Sequence, residues 1–220
     1  SEARRENRTV HFGRVFPILS KKNAELAPEF WKYKGRVVFE GSWVSTQDNL
    51  AAVYSEVSSG ACHHSSARWI DAIARLPGCA GQDADACSAY AQSEFKGTET
   101  WVFLPPDQWP NSWQGMQNPV VKLRLSLYGH PKAGFYWEQY CKNALSKCGW
   151  KSVPSWESMY FHRGKQLFLS IYVDDFKMAG LAKNLSGAWR DLVKHLVLDP
   201  PRDLHGAVYL GQSQFNVEVD

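Results

Sequence analysis

A chain of 220 residues with 44% hydrophobic residues, ten Trp, nine Tyr and eleven Phe carries too much apolar side chain to stay disordered, and it is long enough to bury a core. Its net charge of +3 is too small to mark a partner by itself, and no apolar run approaches the eighteen or so residues of a membrane-spanning helix. Five cysteines without a C-x-x-C pair exclude a disulfide framework and read as reduced thiols of an intracellular protein, cytoplasmic or nuclear.

In chain order, residues 1–30 are charged and irregular, with Arg4, Arg5, Arg8, Arg14, Lys21 and Lys22. They predict a solvated basic arm or a nucleic-acid contact. From Trp31 to Phe39, basic residues alternate with apolar or small ones, which predicts a strand with Lys32, Lys34 and Arg36 on one face. Such a row suits a triphosphate or a phosphate backbone, or is a solvated strand face. Cys62-His63-His64 resembles a zinc cluster in composition only, because adjacent residues on one element do not converge as zinc ligands do.

Ala67, Trp69, Ile70, Ile73 and Ala74 recur at helical steps and predict a helix over 65–76, stopped by Pro77-Gly78. Gln82 to Tyr90 reads as a strand running into a turn or short helix, with Asp83 and Asp85 on one strand face. Trp101 to Leu104 predicts a short strand, and the Pro-rich stretch 105–119 an exposed loop. Leu127 to Lys132 is a turn. Trp137, Tyr140, Cys141, Ala144, Leu145 and Cys148 then predict a helix that Gly149 ends.

Met159 to Arg163, a Gly164-Lys165 turn and the apolar run from Leu167 predict a hairpin. That run is broken at Asp174-Asp175 and resumes at Phe176. Two adjacent carboxylates at a tip between buried strands repel each other, and desolvation drives their protons back on unless a cation compensates. Hard carboxylate oxygens suit magnesium. A solvated hairpin tip is the plainer reading of the bare pair. Leu185, Ala188, Trp189, Leu192 and Leu196 predict a last helix, closed by Asp199-Pro200-Pro201, and Val208 to Gly211 a further strand. The order of elements implies an α+β fold, a mostly antiparallel sheet with helices on one face. In it, Asp85 and the Asp174-Asp175 tip meet at one sheet edge.

These pieces, in this order, resemble the reverse transcriptase of copia-type LTR retrotransposons. Tyr172-Val173-Asp174-Asp175 is similar to the family's Y-V-D-D, and Asp85 to Tyr90 to the run opened by its first catalytic aspartate. Ser126-Leu127-Tyr128-Gly129 with Trp137, Tyr33 to Val38, and Val208 to Gly211 resemble three further signatures. The likeness spans about residues 30 to 215 and implies a polymerase palm with partial fingers over 31–220, as part of a retroelement polyprotein with a thumb, RNase H and integrase elsewhere.

By the same resemblance, Asp85, Asp174 and Asp175 are the catalytic ligands of two Mg2+ ions, with Mn2+ a possible substitute. Tyr90 limits space beside the sugar. Lys34, Arg36 and Lys132 contact the nucleotide, and Tyr209, Leu210 and Gly211 form the primer grip. The implied substrates are a deoxynucleoside triphosphate and an RNA or DNA template-primer. Lys132 and Phe135 stand where the family usually carries a glutamine and an arginine, Gly134 replaces its usual proline, and the sequence ends near the primer-grip strand. These departures keep open a catalytically silent domain serving as a structural or binding piece of a larger assembly.

Overall fold

A computed structural model describes residues 2–54, 62, 64–204, 208–209 and 212–213. In chain order the elements are α1 (Glu2–Arg5), β1 (Val10–Lys22), β2 (Lys32–Thr46), α2 (His64–Ala74), β3 (Cys79–Asp85), β4 (Glu99–Phe103), β5 (Val120–Lys122), α3 (Ala133–Lys147), β6 (Lys151–Ser152), β7 (Met159–His162), β8 (Leu167–Tyr172), β9 (Asp175–Leu181), α4 (Ala182–Leu192), β10 (Arg202–Asp203), β11 (Val208–Tyr209) and β12 (Gln212–Ser213). The class is α+β with mostly antiparallel sheets, as expected. The chain divides into two compact units, Ser1–Val57 with Ser93–Tyr136, and Ser58–Gln92 with Trp137–Asp220.

The first unit is built on a four-stranded sheet in the order β2-β1-β4-β5, in which β1 and β4 run parallel and the other pairs antiparallel. Within the basic arm expected over residues 1–30, Val10–Lys22 forms the long strand β1. The reason is its apolar content: Val10 and Val15 are buried, Val15 in a core with Phe39, Val44 and Val102, while the cations of the strand, Arg14, Lys21 and Lys22, are exposed. Arg14, for example, lies over the Trp43 ring, 4.0 Å from its centroid. Gly13 is required here, because a Cβ would stand 2.3 Å from the Phe39 ring.

The second unit holds a six-stranded antiparallel sheet in the order β10-β3-β9-β8-β7-β6. Period-two alternation sorts its strands. On one face Ala84, Leu169, Phe176 and Met178 pack under Trp137, Cys141 and Leu145 of α3 and Leu185, Ala188, Trp189 and Leu192 of α4. On the other face Ala179 and Met159 pack under Ile70 of α2, which covers only one end. The same face carries Lys177, which pairs with Asp71 of α2, and then Asp83, Asp85 and Asp175.

Helix α3 ends as its sequence predicts. Gly149 has φ +84, its N–H donates to the Ser146 carbonyl and the Trp150 N–H to the Leu145 carbonyl, which is a Schellman ending. The hairpin of β7 and β8 turns through residues 163–166, and β8 turns into β9 through Val173 and Asp174 alone.

Candidate active site

The carboxylates converge because two strand ends coincide. β3 and β9 are in register so that Asp85 faces Asp175, and Tyr172 of β8 also faces Asp175. The Ala86 N–H donates to the Asp174 carbonyl at 2.7 Å, and the Asp85 carbonyl accepts from the Asp199 N–H at 2.8 Å. The backbone of Asp85 is thereby held from both sides, next to the two-residue tip.

That tip is strained. Val173 has φ +55, a conformation in which a β-branched side chain crowds its own backbone. Residues held there cost of order 1–3 kcal/mol and persist only when their surroundings impose it. The imposing group is Trp137, buried on α3, whose Nε1–H donates to the Val173 carbonyl at 2.6 Å. Sequence spacing marks Trp137 as a core residue of a helix. It is that, and it is also the clamp on the tip.

Electrostatics at the tip are unfavourable without a cation. Half-burial pushes the Asp175 carboxyl up to about 6, assisted by the negative charges of Asp174, Asp85 and Asp83 and opposed by Arg202. Tyr90, on the short 3-10 turn Ala89–Gln92, packs partly buried against the core. Its hydroxyl is pushed up first by burial and then by the charge of Asp174.

Asp83 and Asp85 share a face, but their surroundings differ. The Asp83 side chain is 3% exposed and that of Asp85 45%. One nitrogen, Nη2 of Arg202, donates to Asp83 Oδ2 at 2.6 Å and to Asp85 Oδ1 at 3.0 Å. Asp83 Oδ1 is buried without a hydrogen-bond partner among the described residues. Further along the face Lys177, 2% exposed, pairs with Asp71 of α2 at 2.5 Å.

The donor chemistry fits a hard divalent cation: three carboxylates on adjoining strand ends, one of them with its proton affinity raised by burial and then by its neighbours. Their side chains are not yet gathered on one point. Among the described residues no group of three or more His, Cys, Asp or Glu side chains is arranged to hold a metal ion. The oxygen that Asp85 would offer is directed at Arg202 instead.

The remaining candidates lie elsewhere in the chain. Lys34 and Arg36 sit on β2 in the first unit, on the same face as Lys22 and Lys32, since Lys22 faces Lys32, Ser20 faces Lys34 and Ile18 faces Arg36. Lys132 belongs to the same unit. Its backbone N–H donates to His130 Nδ1 at 3.1 Å. His130 is buried and held neutral, its pKa lowered to about 4 by burial, then by His11 and Lys132. Tyr209 lies on β11, facing Gln212 of β12, while Leu210, Gly211 and His63 fall outside the described residues.

Sequence reasoning missed Arg202 and Lys177. Nothing about Arg202 stands out beyond the Pro200-Pro201 that precedes it. Lys177 did carry a signal: a lone lysine in an otherwise apolar strand requires a buried acidic partner.

Compared with known proteins, the chain matches the family "Reverse transcriptase (RNA-dependent DNA polymerase)" over residues 7–210. Among curated proteins it is similar to the Transposon Ty1-BL Gag-Pol polyprotein of Saccharomyces cerevisiae, 31% identical over 137 residues, which is 62% of this chain and 7% of that one. The Transposon Ty1-DR4 Gag-Pol polyprotein of the same yeast is 27% identical over 137 residues, 62% of this chain and 8% of that one. The match thus spans less than a tenth of the length of these relatives.

Proposed function

Because this chain belongs to the reverse transcriptase (RNA-dependent DNA polymerase) family, we propose that it is the fingers and palm part of an RNA-directed DNA polymerase carried in a retroelement Gag-Pol polyprotein. The observation that carries this reading is the facing pair Asp85 and Asp175 with the Asp174 carbonyl bound to Ala86, which brings the backbones of three aspartates together. The substrates would be a deoxynucleoside triphosphate and the 3′-hydroxyl of a primer on an RNA or DNA template. Asp85, Asp174 and Asp175 would hold two Mg2+ ions, or Mn2+ in their place. When bound, the ions supply a lowered pKa at the primer hydroxyl and neutralise charge on the triphosphate and the leaving pyrophosphate.

The chain's own residues position the reactants. Trp137 and Ala86 fix the height of the tip, so the Asp174 carboxylate is offered from a backbone that does not have to reorganise. Tyr90, half-buried, would wall off the space next to the sugar and disfavour a 2′-hydroxyl by sterics. Lys34, Arg36 and Lys132 would neutralise triphosphate oxygens, and Tyr209, Leu210 and Gly211 would grip the primer end.

A second reading is a catalytically silent copy kept as a structural or binding piece. Lys132 and Phe135 at places where the family carries glutamine and arginine favour it, as does Arg202 on Asp85. Mn2+ titration by calorimetry decides between them. Asp85→Asn should abolish binding while Asp83→Asn retains most of it. No binding by the wild-type chain would remove the polymerase reading and leave the silent one, and equal losses in both variants would move the ligand role from Asp85 towards Asp83.

A further inference from the structure

The contact between Arg202 and Asp85 has a construction that an incidental surface ion pair lacks. Arg202 opens β10, directly after Pro200-Pro201, and its backbone neighbourhood is pinned on both sides: the Asp199 N–H to the Asp85 carbonyl, the Leu204 N–H to the Gly81 carbonyl at 3.2 Å, and Gln82 Nε2 to Asp203 Oδ1 at 3.0 Å. Its side chain, 57% exposed, reaches both carboxylates from that fixed base. The base faces Asp83 in register, so the guanidinium lies on the deeper carboxylate first and on Asp85 second.

Asp83 is the unexplained part. A carboxylate that is 3% exposed needs compensation, yet only Oδ2 receives a hydrogen bond, and Oδ1 is buried with none among the described residues. Half of its accepting capacity therefore stands unused beside a guanidinium whose fork matches a carboxylate two bonds at a time.

We propose that Arg202 is an internal counter-cation of the Asp85 carboxylate, which a divalent ion must displace, and that Asp83 is the anchor onto which the guanidinium withdraws. The proposal rests on the reading of Asp85, Asp174 and Asp175 as the metal-holding set. A guanidinium does not deprotonate at physiological pH, so displacement and not titration is its only way off Asp85. While it remains, it blocks Oδ1 and repels an approaching cation; once withdrawn, it gains the second oxygen of Asp83 and stays near the site as a positive charge. Arg202 is thus a positioning residue, one that sets how readily the site loads.

The test is Mn2+ titration of the full chain, read by calorimetry and by the electron paramagnetic resonance of free Mn2+, so that no activity is needed. Arg202→Gln removes the competitor and should tighten Mn2+ binding about tenfold, the scale expected for deleting a unit charge a few ångströms from a divalent ion. Because Arg202→Gln leaves Asp83 as an uncompensated buried charge, the double variant Asp83→Asn with Arg202→Gln is measured alongside, and it should show the same tightening in a more stable protein. If Arg202 only staples β10 to β3, melting temperature falls and Mn2+ affinity stays unchanged or weakens in both variants, which overturns the proposal. Asp85→Asn separates the two levels. If it abolishes Mn2+ binding while the Arg202 variants change nothing, only the Arg202 role fails. If it leaves wild-type Mn2+ binding intact, the metal-holding role of Asp85 fails with it.

Discussion

Two strand pairs in this chain line up charges of one sign, and they do so under opposite conditions. At the hairpin end of β1 and β2, Lys22 faces Lys32, and Lys34 and Arg36 continue the row on the same face. At the end of β3 and β9, Asp85 faces Asp175, with Asp174 next in the chain and Asp83 two residues back. The lysines stand in water, where two unit charges a few ångströms apart repel by about 1 kcal/mol. The carboxylates are partly or wholly buried, and there burial together with the same juxtaposition raises the Asp175 pKa to about 6 and recruits Arg202. Solvent tolerates the first row at little cost. Burial makes the second depend on a counter-cation, supplied from inside the chain or from outside it.

The tip can be broken most directly through its clamp. Trp137 is 3% exposed, stacks on Tyr140 with ring centroids 6.0 Å apart, and holds the strained Val173 through its carbonyl. Trp137→Ala should cost about 3–5 kcal/mol in chemical denaturation, from the lost aromatic volume together with the orphaned carbonyl. Trp137→Phe keeps most of the bulk and loses only the donor, so it should cost about 1–2 kcal/mol and weaken Mn2+ binding. A Trp137→Phe protein that binds Mn2+ like the wild type would make Trp137 a packing residue and nothing more.

A smaller effect tests whether burial is what sets the two rows apart. Asp175 has its folded pKa raised, so its contribution to stability is fully present below the ordinary carboxylate pKa near 4 and is lost as pH rises through about 6. The metal-free wild type should therefore lose stability relative to Asp175→Asn across roughly pH 4 to 6. At pH 7 and above the variant should be more stable by about 1 kcal/mol, after discounting for the half-exposed position. Urea denaturation of both proteins at pH 4 and pH 7.5 measures the difference. A constant gap at the two pH values would mean that Asp175 is solvated like the lysines.

How much of this was legible in the sequence follows the same division. Period-two and period-3.6 apolar patterns located the hairpin around Leu167, the helices over 65–76 and from Trp137, and the strand bearing Asp83 and Asp85, because burial of a face is written locally. The meeting of Asp85 with the tip came from motif order. Over residues 1–30 charge density hides the apolar positions Val10 and Val15 of β1, which pair with distant segments and leave no local period. Asp83 and Asp85 looked equivalent from spacing alone. What distinguishes them is depth, 3% exposed for Asp83 against 45% for Asp85, under an Arg202 brought in by a two-residue strand about 120 positions away, and no local pattern encodes that.

The last prediction turns on the lysine row, where the expected change in stability is smallest and its sign matters most. Two lysines facing each other across an antiparallel pair are mildly destabilising, and an opposite-charge pair at the same place contributes about 0.2–1 kcal/mol. Lys32→Glu opposite Lys22 should therefore raise the melting temperature slightly, because the exposed hairpin end has no buried group to disturb. If the row serves a phosphate backbone, the same substitution should weaken binding to a single-stranded oligonucleotide and lower the salt dependence, with log K against log salt losing roughly 0.7 per contact removed. Gain in stability with loss of binding would show a row kept for an anionic partner against its own folding interest. Gain in stability with unchanged binding and unchanged salt slope would make it a solvated strand face, and the nucleotide roles proposed for its neighbours Lys34 and Arg36 would lose their electrostatic basis.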